Sequence, residues 1–522
     1  MRLINIFTFI TTIGLSLAQC PNNLSSCGEA CYSPDEYTCD NGVLCSLDMK
    51  NCNGACYSPN EYHCENGSLV YGPESGDASP APVPAPSTPE PPTIPEPPSV
   101  PESPPIIEQP SIPEPPSVPE PPSSPSIPSS PGISDNLKPQ RDPSIPSKEG
   151  KMILQIDNNT GGAWSDDEIY WVVLGRNENH ELSYLDLNGD LIKADLSLND
   201  ATTPRGNRRY ASSIVHKLSE RKYVHLPAVE SGRMYISYGE PVYITFNDGG
   251  YAGPDVNNET DPNANTLFEY FEFTTESING TITFHGNTTR VDFFSFPYMI
   301  RLMNSTGDYD RWEGDTGSRD EIFNAFKNSV SEPFKTLVDD YRIMAPCKTT
   351  FNEGKTYGDY YDDYINAFWS KYSQENLEFQ CDAGSFKGHV EGNRMLFTKS
   401  GDDRTFFVDR PTTQDVLEGR GAFDRGSSSD PDLTRIELVI EAQLCAAFNR
   451  GIATEPSKWK DVSSYYKSEM VSNEYSEFFH QHSVTGKAYG FCYDDVNDQS
   501  TLLECGNADI LIIDLKCFKL ML

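Results

Sequence analysis

Residues Tyr270 to Pro297 read YFEFTTESINGTITFHGNTTRVDFFSFP, and the rest of the chain is organised around them. β-Branched and aromatic residues alternate here with polar ones at a period of two, which predicts strands. In YFEFT, Tyr270, Glu272 and Thr274 share one face, and Phe271 and Phe273 the other. In TRVDFFSF, Arg290, Asp292 and Phe294 share a face. Asn279-Gly280 is a turn dipeptide and His285-Gly286-Asn287 a second turn signal. The stretch therefore reads as a hairpin or a three-strand meander with one acid, Glu272 or Asp292, on each outer strand. A lone charge inside an apolar strand is costly to bury, so each acid must face water, a partner or a substrate. Two carboxylates on nearby rigid strands suit glycosidic hydrolysis, where one protonates the leaving oxygen and the other activates water or attacks the sugar. On these residues alone, solvated acids on an exposed sheet face are the more economical reading.

Upstream, from Lys151, short strands recur between turn signals: MILQID, EIYWVVLGR, YLDLNGDLIKA, KYVHLPA, RMYISYG and PVYITFN. That spacing predicts a β-sandwich or barrel-like half. Asp186-Leu-Asn188-Gly-Asp190 resembles the start of a calcium loop but lacks the downstream ligands, and a hairpin turn explains it. Downstream of Pro297 the period becomes helical over Arg319–Val330 and over Tyr361–Tyr372. Thr434-x-x-Glu437 reads as a capping box before a third helix that stops at Gly451. Strands are expected again at Ala488–Asp495 and Ile510–Leu515. The second half is thus mixed α and β. Its six cysteines allow up to three bridges, and proximity in sequence points to Cys492 with Cys505.

The 522-residue chain is long enough for two or more domains. It opens with MRLINIFTFITTIGLSLAQC, a basic start, an apolar run and a small-residue end, which reads as a secretory signal peptide over residues 1–18. No stretch beyond it has the length and apolarity of a membrane span. Fourteen cysteines and several N-glycosylation sequons fit a secreted, extracellular or wall-associated protein. A net charge of −37 argues against nucleic acid and anionic membranes as partners and is compatible with a neutral polysaccharide. No metal or cofactor is expected, and a monomer is.

Over residues 19–72, Cys20, Cys27, Cys31 and Cys39 recur 25 residues later as Cys45, Cys52, Cys56 and Cys64. Units this small need cross-links, and four cysteines each suggest two disulfides per unit. Tyr32, Tyr37, Tyr57 and Tyr62 lie in the shared Tyr-Ser-Pro-x-Glu-Tyr interior; they either present flat faces to sugar rings or cover the disulfides. Residues 73–147 are Pro, Ser and Glu with Val or Ile, which predicts an extended linker. At ~3.1 Å per residue it would span on the order of 200 Å. Residues 148–522 form the large body.

The body holds no G-x-S-x-G elbow, H-E-x-x-H pair or P-loop. Its chemistry is acidic: Glu272, Asp292, and the doublet Asp494-Asp495 in YDDVNDQ, which by itself reads as a solvated turn. The phrases EFT and GNTTRVD, with SGRMYISYGE, SRDEIFNAFK, DAGSFKG, LCAAFNRG and YDDVNDQ in order, resemble glycoside hydrolase family 64, the β-1,3-glucanases. The resemblance implies a thaumatin-like β-sandwich or barrel domain packed on a mixed α/β domain around a wide groove. It implies endo-type hydrolysis of β-1,3-glucan with inversion, releasing short laminari-oligosaccharides, with Glu272 as general acid and Asp292 as general base. Thr274, Thr289, Asp494 and Asp495 match groove residues that touch sugar. Phe271 and Phe273 are expected to keep the surroundings of the acid partly dry. The repeats CGEACYSPDEYTCDNG and CNGACYSPNEYHCENG resemble fungal carbohydrate-binding modules of family 52, which implies glucan binding through the four tyrosines. The expectation is a secreted enzyme acting on fungal-type wall glucan. A non-catalytic β-glucan-binding wall glycoprotein is the alternative.

Overall fold

The computed structural model describes residues 25–27, 30–32, 37–40, 43–46, 50–52, 55–57, 62–65, 68–71, 138–205, 208–424, 431–467 and 471–516. The signal peptide and most of the linker lie outside them. The chain divides into two compact units, Met1–Glu120 and Pro121–Leu522.

The first unit holds four short antiparallel hairpins: Ser25–Cys27 with Ala30–Tyr32, Tyr37–Asp40 with Val43–Ser46, Lys50–Cys52 with Ala55–Tyr57, and Tyr62–Glu65 with Ser68–Tyr71. Tyr32 and Tyr57 end strands, and Tyr37 and Tyr62 begin the next ones. Cys52 and Cys64 form a disulfide, and Cys39 is also disulfide-bonded. The rest of the two-per-unit expectation falls on cysteines whose side chains lie outside the described residues.

In the second unit the main sheet runs in the order Leu191–Lys193, Leu182–Leu185, Ile169–Arg176, Val229–Tyr238, Leu267–Ile278, Thr281–Thr288, Leu502–Leu515, Tyr298–Asn304, Asp310–Gly314. The Leu502–Leu515 strand branches it. Its first half pairs with Thr281–Thr288; its second half pairs antiparallel with Tyr298–Asn304 and parallel with Met152–Asn158. Met152–Asn158 in turn carries Tyr223–Leu226. The result is sandwich-like. The path ends at the Leu191–Lys193 and Asp310–Gly314 edges, so among the described residues the barrel alternative does not hold.

Period-two alternation divides the side chains between two cores. Phe271, Phe273, Phe284 and Met234 face one apolar cluster, while Tyr235, Phe268, Tyr270 and Phe293 face another. The body begins earlier than the expected boundary at 148. Ile145 is buried with Ile153, Ile510 and Ile512, and Arg301 donates to the Pro139 carbonyl.

Leu267–Ile278 and Thr281–Thr288 form a hairpin in register from Phe271↔Thr288 to Ile278↔Thr281. Its turn is Asn279-Gly280, with both φ values positive (55° and 82°), as a two-residue turn matching strand twist demands. The second turn expected at His285-Gly286-Asn287 is absent, because the strand runs straight through to Thr288. Gly286 is there for close approach. A Cβ on it would stand 2.7 Å from Phe273 Cβ and 2.9 Å from the Glu272 carbonyl oxygen. Asp292 consequently lies not on an outer strand but in a bend, between Thr288 and the two-residue strand Phe293–Phe294.

The remainder packs around an aromatic-rich core of its own. Helix Arg319–Ser329 starts at a capping box, Ser318 with Glu321. Helix Asp362–Tyr372 buries Tyr364, Ile365, Phe368, Trp369 and Tyr372, as its stripe predicts. A four-stranded antiparallel meander over residues 377–409 follows. Helix Pro431–Asn449 starts a turn before Thr434, so the box expected there is helix interior. Residues 488–495 are irregular chain leading into turns, not a strand. Cys492 and Cys505 are both free thiols. Cys505 is buried on the inner face of the last strand, and Cys492 donates to the Glu418 carbonyl. No helix among the described residues is long and apolar enough to cross a membrane.

Candidate active site

The strand Leu267–Ile278 turns Glu272 and Thr274 to the open face of the sheet, while Phe271 and Phe273 are buried opposite. The two phenylalanines therefore do not dry the acid. A cation sits beside it instead. Arg233 stands directly across on Val229–Tyr238, with its Nε donating to Glu272 Oε1 at 3.1 Å. Asn287 is the directly opposed residue on the other neighbouring strand. Its sequon thus lies beside the acid, and its own amide donates to the Thr288 carbonyl.

Asp292 reaches the same place from its bend. Tyr270, two residues before Glu272, donates its phenol to Asp292 Oδ2. Lys348 Nζ lies 3.2 Å from Asp292 Oδ1. The Arg233 guanidinium stacks over the Tyr270 ring at 4.8 Å, so Tyr270 connects the two halves of the site. Burial first, and then the Asp292 carboxylate, push the Tyr270 phenol well above its ordinary value, which keeps it a donor. Glu272 and Asp292 are each about one-fifth exposed, enough to meet a substrate while shielded from bulk water. Each carboxylate has its own cation, and the pair shares one aromatic floor.

The bend is fixed from beneath. The Arg290 guanidinium is buried between Glu269 and Asp315. Its backbone N–H donates to the Tyr489 carbonyl, and its carbonyl accepts from Tyr475. Glu269 also accepts from the N–H groups of Ser295 and Phe296. Such a triad costs desolvation but specifies one geometry when every member is satisfied.

The remaining groove candidates divide. Thr274 stays at the open face and accepts from the Ser231 N–H at 3.3 Å. Asp495 reaches the surface, although the protein around it pushes its carboxyl above the ordinary value. It lies near Tyr489, whose phenol also feels Glu272. Thr289 is buried and accepts from the Val291 N–H, bracing the bend. Asp494 is not a surface contact at all. It is fully buried, bonded to Arg450 (3.1 Å), His480 (3.0 Å), Ser476 (3.1 Å) and the Gly490 N–H (3.0 Å). A carboxylate with these partners has no lone pair left for sugar.

Arg233 and Lys348 are the members the sequence did not disclose. Arg233 sits inside the quoted SGRMYISYGE phrase, but only the register of two distant strands places it on Glu272. Lys348 has no signal in the sequence.

Residues 150–515 match the family model described as Beta-1,3-glucanase of glycoside hydrolase family 64, and residues 26–69 match one described as Carbohydrate binding. The fold is similar to a β-1,3-glucanase domain of family 64 from Clostridium beijerinckii, 40% identical, covering 72% of this chain and 100% of that one with TM-score 0.65. It is also similar to a laminaripentaose-producing β-1,3-glucanase of the same family from Paenibacillus barengoltzii, complexed with laminarihexaose. That chain is 37% identical, with 71% of this chain and 76% of that one covered and TM-score 0.57. A glucan endo-1,3-beta-glucosidase from Arthrobacter sp. (strain YCWD3) is 28% identical over 312 residues, 56% of this chain and 54% of that protein. The chain thus spans about half the length of the curated relatives it matches.

Proposed function

Because the chain belongs to glycoside hydrolase family 64, the β-1,3-glucanases, we propose that the site hydrolyses β-1,3-glucan internally and releases short laminari-oligosaccharides. One observation carries the reading. Two half-shielded carboxylates, Glu272 and Asp292, converge from different elements on the Tyr270 ring, each with a separate cation.

In the proposed reaction Glu272 gives a proton to the glycosidic oxygen as the bond to the anomeric carbon breaks. Asp292 removes a proton from water as it attacks the opposite face, so the configuration inverts. This requires the carboxyls to stand roughly 6.5–9.5 Å apart with a water between them. The Arg233 contact holds Glu272 in place before substrate arrives, and the glucan displaces it as the acid takes up its proton. Thr274 on the open face and the exposed Asp495 suit contacts to sugar hydroxyls.

The hairpins of the first unit are proposed to bind glucan through Tyr32, Tyr37, Tyr57 and Tyr62 as a family 52-like module, a reading supported by the carbohydrate-binding match. With the signal-like start, this suits a secreted, modular enzyme directed at fungal-type wall glucan.

The test uses purified protein beside its Glu272→Gln and Asp292→Asn variants on linear β-1,3-glucan. Products are followed by size and by the anomer first released. Short oligosaccharides of initially α configuration, lost in both variants, are expected. Products of β configuration would reject inversion. Retained turnover in Asp292→Asn would remove the base assignment.

A further inference from the structure

The turn that carries Lys348 is tied to the segment that carries Asp292 along its whole length. Phe293 pairs with Met344 in a two-residue ladder. The Ala345 N–H donates to the Asp292 carbonyl at 2.9 Å. The Cys347 thiol lies 3.8 Å from the Val291 carbonyl, and Lys348 ends the series with its ammonium on Asp292 Oδ1. The side-chain contact is therefore the last of four between the same two segments. That arrangement is stiff, unlike a lysine reaching across solvent.

We infer that Lys348 is the positioning residue of the base, holding Oδ1 of Asp292 while Tyr270 holds Oδ2, so that the carboxylate presents one fixed edge to the attacking water. The inference rests on the hydrolytic reading above. An ionised carboxylate has about four acceptor sites. Lys348 and Tyr270 take one on each oxygen, and the others remain for water. Lys348 also borders a cavity of about 520 Å³, with Thr349, Thr350, Lys355, Gln414 and Glu418 among its other walls. Other titratable groups around Asp292 are the Tyr270 phenol, the Cys347 and Cys492 thiols and, deeper, Tyr475. Burial holds all four above their ordinary values, so Lys348 is the cation of the set. Burial works against the charge on Lys348, but Cys347, Asp292 and Glu418 together outweigh it and hold the ammonium above its ordinary value.

The experiment compares wild type, Lys348→Met, Lys348→Gln and Lys348→Arg on soluble linear β-1,3-glucan. It reads kcat and KM separately, and the thermal midpoint. The expected result is a fall in kcat of ~100-fold in Lys348→Met and Lys348→Gln, the scale of a misplaced reacting group, with KM little changed. The midpoint stays near that of wild type, and Lys348→Arg restores most of kcat. If the neutral variants keep wild-type kcat, the inference is overturned. It is equally overturned if all three variants lose activity alike with a lowered midpoint, since that marks a purely structural lysine. A wild-type protein without hydrolysis would reject the parent reading instead.

Discussion

Arg233 and Glu272 occupy directly paired positions on adjacent antiparallel strands, and their side chains meet on the open face of the sheet. The acid proposed to donate a proton is thus held by a permanent cation before substrate arrives. Removing that cation frees the carboxyl to move. In Arg233→Met, kcat should fall roughly 10- to 100-fold, the scale of a lost hydrogen bond to a charged group. Unchanged kcat would show that the contact plays no part in placing the acid.

Tyr270 offers a gentler perturbation. Tyr270→Phe keeps the ring under Arg233 and removes only the bond to Asp292. Loss of one hydrogen bond to a charged group costs about 1.5–3 kcal/mol. The expected effect is a fall in kcat of roughly 10- to 100-fold with the fold intact. Unchanged kcat would remove the phenol from the description of the base.

Glu313 makes stability depend on pH. It is buried on the Asp310–Gly314 edge strand, and burial pushes its carboxyl up to about 7, although Thr485 donates to it. A raised carboxyl binds its proton more tightly in the folded state than in the unfolded one. Its contribution is therefore complete below pH 4.5, the ordinary value, and is lost as pH climbs through about 7. The loss is on the order of 3 kcal/mol. Calorimetry across that window should show the thermal midpoint falling, and Glu313→Gln should flatten the slope. An equal slope in the variant would assign it to other groups.

Asp494 is expected to matter for folding rather than for sugar. Burial alone would raise its carboxyl, but His480 and Arg450 outweigh that and hold it below the ordinary value. Asp494→Asn leaves the buried Arg450 without its counter-charge, at a cost of about 3–5 kcal/mol. Denaturant unfolding measures the loss. The fraction that remains folded should bind glucan as the wild type does. Normal stability with weakened binding would return Asp494 to the groove.

The parts of this architecture that depend on local pattern were readable in advance. The period of two placed Glu272 and Thr274 opposite Phe271 and Phe273, and Asn279-Gly280 marked its hairpin. The helical stripes at Arg319–Ser329 and Asp362–Tyr372 were equally plain. Gly286 misled because a glycine required for close approach inside a strand has the same letter as one required for a turn. Asp494 misled because neighbouring aspartates look alike until burial separates them: one is inside, the other at the surface. Arg233 and Lys348 were invisible for another reason. Each meets its carboxylate only through tertiary register, and periodicity carries no information about which distant segments become neighbours.

The pairing of Ile153 with Ile510 imposes an order on biogenesis. The apolar strand Met152–Asn158 is made long before Leu502–Leu515, one of its two strand partners. The same late strand also completes the sheet beside Asn287, next to the acid. Until it is made, the early strand keeps an unsatisfied edge that invites association with other chains. Completing this sheet must therefore wait for Leu502–Leu515, and the yield of folded protein should respond to folding helpers that act once that strand is made.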